Sequence, residues 1–197
     1  MNWVETPKII TETSNGYDRS EILDVMFQNR EIECVGEITE SSSNSLCRQL
    51  RYLEQQDDKK EITIFVNTPG GSVDDGLAVI DVINAIKCPI KTICIGKAYS
   101  MGALIFVSGT KGRRFMLPHS RIMVHDPLIM GGIGGSALAI KSRSDDMMRI
   151  REITAEILAK CTGISIDNIY KYTAKDSYFE ASEAVSLGFA DEIMTKF

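Results

Sequence analysis

The sequence predicts an α/β fold built from consecutive βα units whose strands form a parallel sheet. Three short runs rich in Ile and Val alternate with longer segments typical of helices. Strands that are apolar on both faces are typical of a parallel sheet, because helices cover both of its faces. The predicted strands lie at residues 62–66, 90–95 and 121–125, and the predicted helices between them lie at 77–86 and 103–107.

The segments before the first of these strands predict a polar arm, a further strand and a helix. Residues 1–20 are largely polar and contain the turn signal Asn15-Gly16, which predicts a mobile amino-terminal arm. Residues 31–38 favour a strand. A helix is predicted at residues 41–55, because three serines lie near its start and a charged loop follows its end.

A glycine-rich stretch and one long helix follow the third strand. Residues 128–135 contain four glycines among apolar side chains, which predicts a flexible edge rather than a packed strand. Residues 137–161 predict a single helix with an apolar stripe at spacings of three and four, and Gly163 marks its end. An apolar face on a helix that protrudes from a compact core predicts self-association, and packing against the chain's own sheet is the alternative.

Composition restricts the classes of protein to which the chain can belong. Its 197 residues predict one domain that buries about 70% of its unfolded surface. A net charge of −5 argues against nucleic-acid binding, and no apolar run reaches the length of about 18 residues that predicts a membrane span. Five widely spaced cysteines and an amino end without signal-peptide features predict a cytoplasmic protein with reduced thiols and no metal site.

Ser100 lies between the second predicted strand and the helix that follows it, in the run Gly-Lys-Ala-Tyr-Ser-Met-Gly. At such a junction the first N–H groups of the helix have no intrahelical partner. The position can therefore expose a nucleophile and supply backbone donors for an oxyanion. Serine is also a favoured N-cap, so Ser100 alone favours a capping role.

The chain contains only two histidines, so any Ser–His chemistry must use one of them. His125 closes the third predicted strand and is followed by Asp126-Pro127, where the proline cannot continue a sheet ladder. The carboxyl end of a parallel strand lies at the edge where such folds place their sites. His119 lies in a turn-like segment and is expected to be solvated. His125 is the candidate base, with a purely structural role as the alternative.

A third signal is Gly70-Gly71, which follows the first predicted strand. Two glycines let the backbone approach a ligand closely, and their N–H groups can hold an oxyanion or a phosphate. A simple connector is the alternative. The segment does not match a nucleotide-binding fingerprint. Because the glycine pair, Ser100 and His125 all follow the carboxyl ends of parallel strands, we expect them to converge on one cleft.

With these residues assembled, the chain resembles the Clp protease proteolytic subunit family, which are serine peptidases that work inside a barrel. The resemblance covers residues 7–197 and implies a single domain, 1–197, with the fold that Clp peptidases share with crotonases. It implies that 128–162 is an inserted handle segment whose glycine-rich start pairs with extended substrate. The match is densest at 67–71, 98–102, 111–127 and 179–193.

The resemblance also implies the site residues. Ser100 would be the nucleophile, His125 the base and Asp176 the third member of the triad, which orients the imidazole. The backbone N–H groups of Gly71 and Met101 would form the oxyanion hole. Spacing alone does not select Asp176 among the 27 acidic residues. No metal or cofactor is implied, and ATP would be used only by a partner ATPase.

Function and partners follow from the same resemblance. It implies an endopeptidase that hydrolyses unfolded proteins and peptides through an acyl-enzyme, inside heptameric rings stacked into a tetradecamer. A Clp-type AAA+ unfoldase is the implied partner, and no nucleic acid or membrane is expected.

The chain departs from the family pattern at several positions, four of which lie next to the implied triad residues. Tyr99 stands where a small residue precedes the nucleophile, and Asp126 stands where glutamine follows the histidine. Ala174 and Lys175 replace an acidic residue and an arginine beside Asp176. The last two leave open a weakly active or regulatory subunit that works with a sister subunit in a mixed ring. A second alternative is a crotonase-like acyl-CoA enzyme, which would need a positioned carboxylate and a CoA groove.

Overall fold

A sheet of seven strands organises the protein in a computed structural model, which describes residues 7–14, 16–129 and 134–197. The strands are β1 (Lys8–Thr13), β2 (Gly16–Glu21), β3 (Glu31–Val35), β4 (Ile62–Thr68), β5 (Ile90–Tyr99), β6 (Arg114–Met116), β7 (Arg121–Val124), β8 (Ser177–Glu180) and β9 (Glu192–Ile193). The helices are α1 (Ile22–Gln28), α2 (Glu40–Gln56), α3 (Val73–Ala85), α4 (Met101–Val107), α5 (Ala137–Thr162), α6 (Ile166–Thr173) and α7 (Ala181–Ser186).

The sheet is mostly parallel, and the predicted α/β class with stacked βα units is confirmed. Its order is β3-β4-β5-β6-β9, with β7 pairing to β5 and β8 pairing to β7. All of these pairs are parallel except β7 with β8. The antiparallel return of β8 lies outside the sequence prediction. It matters for the site because Val124 pairs with Ser177, which places the residue before Ser177 next to the end of β7.

The core lies on one face of β4, against which α4 packs. Alternate residues of β4 are fully buried, and α4 is buried along its whole length. A helix that is apolar all round belongs inside a protein, because it has no polar face to present to water. The strands are therefore held against α4 on this face, whereas Thr63, Phe65 and Asn67 on the other face of β4 are only partly buried.

Strand β5 is longer than predicted. The sequence places its end at residue 95, but the strand continues to Tyr99. Gly96 adopts a positive φ of 80°, and the pairing with β4 shifts register between Val66 and Thr68. The glycine is therefore an irregularity within the strand and not its end. As a consequence the strand meets α4 with only Ser100 between them.

The long helix α5 is confirmed as one continuous element of 26 residues that ends at Gly163 in the left-handed conformation. Its buried residues all lie in the carboxyl-terminal part, from Thr154 onward, whereas Leu138, Ile140 and Met148 are exposed. The helix packs on the core at one end and protrudes at the other. Residues 130–133, which are half of the predicted substrate-pairing edge 128–135, lie outside the described residues.

The predicted amino-terminal arm contains a β-hairpin formed by β1 and β2. Its residues are nearly all exposed. Mobility of residues 1–20 stays a prediction, and residues 1–6 and 15 lie outside the described residues. Within the described ranges, no helix combines the length and apolarity needed to cross a lipid bilayer.

Candidate active site

Ser100 is held in an unusual backbone conformation between β5 and α4. Its φ of 52° is positive, which for a residue with a side chain costs on the order of 1–3 kcal/mol. Its N–H donates to the carbonyl of Met123 at 2.8 Å, and its carbonyl accepts from Ala103 at 2.9 Å. Although Ser100 is the N-cap residue of α4, its hydroxyl makes no capping hydrogen bond. The hydroxyl is therefore free for another partner.

That partner is His125, the residue immediately after β7. Its Nε2 lies 2.9 Å from the Ser100 Oγ, and its side chain is 17% exposed. The pairing of Tyr99 with Met123 brings the ends of β5 and β7 together, so that the residues that follow them meet. His119 is exposed, as the sequence predicts. A neutral imidazole with Nε2 unprotonated can accept the hydroxyl proton at this distance.

Asp176 is the third residue of the candidate triad, but its contact with His125 is longer than that between His125 and Ser100. Its Oδ1 lies 3.3 Å from the Nδ1 of His125, and its side chain is 58% exposed. The pairing of β7 with β8 brings Asp176 to this position. No other hydrogen bond to its carboxylate occurs among the described residues. The aspartate can orient the imidazole, but its own position depends on the backbone around it.

The glycine pair passes close to the serine. A Cβ at Gly70 would lie only 2.7 Å from the Ser100 Cβ. A Cβ at Gly71, whose φ is 154°, would collide with the backbone of Ile38. Both positions therefore require glycine, as the close-approach interpretation predicts.

Two backbone N–H groups have no acceptor within their own elements. The bridge between residues 38 and 71 uses the N–H groups of Ile38 and Ser72, at 2.9 Å each, and leaves that of Gly71 unused. Met101 is the first residue of α4, so its N–H has no intrahelical acceptor. These are the two groups that the sequence resemblance implies as oxyanion donors.

The predicted convergence of the three loops is present. An open cleft of about 550 Å³ is lined by residues from each loop, together with Met123 and Leu128, which the sequence analysis did not single out. The sequence does contain a signal for both residues, because Met123 precedes His125 by two positions and Leu128 begins the glycine-rich stretch. Met123 is the Cα partner of Tyr99, the residue that precedes Ser100.

Thiols are poor alternatives to the serine. Burial raises the pKa of Cys34 to about 11 and that of Cys94 to about 12, which keeps both thiols protonated near neutral pH. All five cysteines are unpaired. Among the described residues, no group of three His, Cys, Asp or Glu side chains could hold a metal ion.

The residues at which the chain departs from the family pattern differ in exposure. Ala174 and Lys175 are exposed, and Lys175 makes no ion pair within the described part of the chain. Tyr99 packs edge-to-face on Tyr178, with ring centroids 5.5 Å apart. This contact joins the residue before Ser100 to the segment that follows Asp176.

Comparison with known proteins agrees with this geometry. The profile of the Clp protease family matches residues 14–197. The ATP-dependent Clp protease proteolytic subunit 2 of Chlamydia pneumoniae is 38% identical over 189 residues, which cover 96% of this chain and 92% of the relative. The chain therefore belongs to the Clp protease family and is a peptidase of the Clp type.

Proposed function

We propose that the protein is a serine endopeptidase that cleaves unfolded proteins and peptides through an acyl-enzyme. The observation that carries the proposal is the 2.9 Å contact between the Ser100 Oγ and the His125 Nε2. A serine that served only as an N-cap would direct its hydroxyl to the helix, and Ser100 does not. The family match places the chain with peptidases rather than with acyl-CoA enzymes.

The proposed reaction follows from the positions of these groups. The Ser100 Oγ attacks the carbonyl carbon of the scissile peptide bond while His125 accepts its proton. The carbonyl oxygen becomes an oxyanion, which the N–H groups of Gly71 and Met101 stabilise. His125 then protonates the leaving amine, and the acyl-enzyme remains. A water molecule then attacks the acyl carbon and gives a proton to His125, while Asp176 stabilises the imidazolium. The bond from the acyl carbon to the Ser100 Oγ breaks to release the acid product, and His125 returns the proton to Oγ.

Assembly belongs to the same proposal. Family membership supports ring assembly, and the exposed apolar side chains on the protruding part of α5 support contacts between copies through this helix. We propose heptameric rings stacked in pairs, which enclose the cleft in a chamber fed by a Clp-type AAA+ unfoldase. Five unpaired cysteines support a reducing, cytoplasmic location.

A mixed ring is the second candidate. The relative from Chlamydia pneumoniae is designated proteolytic subunit 2, which supports the alternative that this chain works beside a different subunit. The exposed Ala174 and Lys175 lack the charged pair that the family resemblance implies beside Asp176. In this alternative the serine chemistry is the same, but the triad is aligned for catalysis only when the sister subunit is present.

Covalent labelling tests the chemistry without requiring a known substrate. A fluorophosphonate should modify the parent protein at Ser100, and Ser100→Ala should remove both the label and peptide hydrolysis, the latter by about 10³-fold or more. Ser72→Ala is the matched control, because Ser72 lines the same cleft. Label that stays in Ser100→Ala, or hydrolysis near the parent rate, would overturn the assignment.

A further inference from the structure

Arg151 of α5 makes two contacts that lead toward the catalytic residues. Its Nε donates to the Oδ2 of Asp126 at 2.7 Å, and the two side chains are only 26% and 32% exposed. Its guanidinium also lies over the ring of Tyr170, 4.1 Å from the ring centroid. A half-buried, charge-assisted hydrogen bond combined with stacking on an aromatic face fixes a guanidinium more firmly than an exposed ion pair does.

The two partners of Arg151 belong to the two segments that lead to His125 and to Asp176. Asp126 directly follows His125, and its own N–H donates to the carbonyl of Thr173, the last residue of α6, at 2.7 Å. Tyr170 belongs to α6, which ends three residues before Asp176. One side chain therefore connects the segment that carries the histidine with the helix that leads to the aspartate.

The triad has a need for such support. The contact of His125 with Asp176 is long at 3.3 Å, and the aspartate is 58% exposed. Because no further donor within the described residues binds this carboxylate, its place relative to the imidazole depends on how the two backbone segments are held. Arg151 also lies one turn before Thr154, the first buried residue of α5. It is therefore at the point where the protruding part of the helix reaches the core.

We infer that Arg151 is a positioning residue, which aligns His125 with Asp176 by binding Asp126 of one segment and Tyr170 of the other. The inference rests on the proposed serine chemistry and adds a residue to it that touches neither substrate nor the reacting atoms. Asp126 stands where the family pattern has glutamine, which cannot form an ion pair with an arginine. The contact therefore links the position of α5 to the triad through an ion pair that the usual glutamine could not form.

Kinetics provide the first test. Arg151→Gln and Asp126→Asn should each lower kcat for a peptide on the order of tenfold to a hundredfold, as expected for small misplacements of catalytic groups, with KM changed by less than about twofold. The double variant should be no slower than the slower single variant, because both changes remove one contact. Arg151→Lys should keep part of the activity, since it retains the charge but not the planar fork.

The matched control is Arg149→Gln on the same helix. Arg149 contacts Asp146 at 3.8 Å, and both side chains are largely exposed, at 74% and 63%. Removal of this pair should leave kcat unchanged. Sedimentation of each variant shows whether assembly is retained. If Arg151→Gln does not assemble, the kcat of Asp126→Asn, which keeps the shape of the side chain, decides whether Arg151 has a positioning role.

A second measurement needs no turnover. Diethyl pyrocarbonate modifies histidines, and peptide mass spectrometry separates the only two in the chain, His119 and His125. In Arg151→Gln the rate of modification at His125 should rise several-fold, while that at the exposed His119 should not change. Unchanged kcat together with unchanged His125 reactivity would overturn the positioning role. A parent protein that neither hydrolyses peptide nor labels at Ser100 would instead overturn the proposed function, and the His125 reactivity would still decide the role of Arg151.

Discussion

The buried ion pair between Arg114 and Asp191 offers a test of what holds the sheet to the end of α5. The carboxylate accepts from the Arg114 Nε at 2.9 Å and Nη2 at 2.6 Å, and from the backbone N–H groups of Gly112 and Arg114 at 2.8 and 2.9 Å. The Arg114 Nη1 donates to the carbonyl of Cys161 at 2.9 Å. The side chain of Arg114 is only 2% exposed, so Asp191→Asn would leave a buried charge without its counterion.

The size of the effect follows from this burial. Removal of one partner from a buried pair destabilises a protein by about 3–5 kcal/mol. Because the Asp191 side chain is 18% exposed and asparagine keeps one oxygen acceptor, we expect the lower end, about 3 kcal/mol. Folded domains are stable by only about 5–15 kcal/mol, so the change should be plain in urea titrations at fixed protein concentration.

The control is an ion pair of similar length at the surface. Lys141 and Asp145 lie 2.7 Å apart with side chains 70% and 65% exposed, so Asp145→Asn should lower the free energy of unfolding by only about 0–1 kcal/mol. Equal losses for Asp145→Asn and Asp191→Asn would refute the argument that burial decides the contribution. Replacement of Arg114 and Asp191 together by apolar residues should recover much of the loss.

The same pair makes stability depend on pH. Burial alone would raise the pKa of Asp191, but the hydrogen bonds and charge of Arg114 outweigh it and hold the pKa below its usual value. Such a carboxyl stabilises the fold above its unfolded pKa, and the contribution is lost as pH falls through the folded pKa. The difference between parent and Asp191→Asn should therefore be constant near neutrality and shrink below about pH 4. A difference that grew on acidification would contradict this.

Two further predictions concern the oxyanion loop and assembly. Gly71→Ala should lower kcat on the order of 10²–10³-fold, because its Cβ would displace the N–H donor. The control is Gly163→Ala, which also lies at a positive φ but has open space around it and should keep full activity. In sedimentation at high salt, the isolated protein should form rings that stack weakly and hydrolyse peptide slowly, since Ala174 and Lys175 lack the charged pair of the family pattern. A fully active double ring that persists at low concentration would show that this pair is unnecessary.

The sequence predicts those elements whose side chains repeat with a clear period. Strands β4 and β7 and helix α2 lie close to their predicted bounds, because their burial follows the apolar pattern. Helix α5 also lies close to its predicted bounds, but its end is marked by Gly163 and its apolar stripe is only partly buried. Strand β6 has no such pattern, since it is three residues long and buries an arginine. Its position depends on the partner Asp191, which is distant in the sequence. No local pattern contains that information.

In the candidate site, too, some features can be predicted from local sequence signals and others cannot. The positions of Ser100 and His125 at element ends can be predicted, because residue type and proline placement are local signals. Whether Ser100 caps its helix or faces His125 cannot be predicted, since the answer depends on a backbone φ of 52° and on strand pairing. Asp176 requires the four-residue strand β8, which is too short to show alternation and pairs with a distant strand.

Helix α4 explains how a strained serine is kept in place. Every residue of Met101–Val107 is buried, and each large apolar side chain contributes about 1.5–3 kcal/mol when removed from water. This gain outweighs the strain at Ser100, which is on the order of 1–3 kcal/mol. A Cβ at Gly76 or Gly102 would collide with the residues packed against it, so α4 has little freedom to shift. The N–H of Met101 is therefore positioned by packing in the core rather than by a flexible loop, so the proposed oxyanion site would be formed before substrate binds.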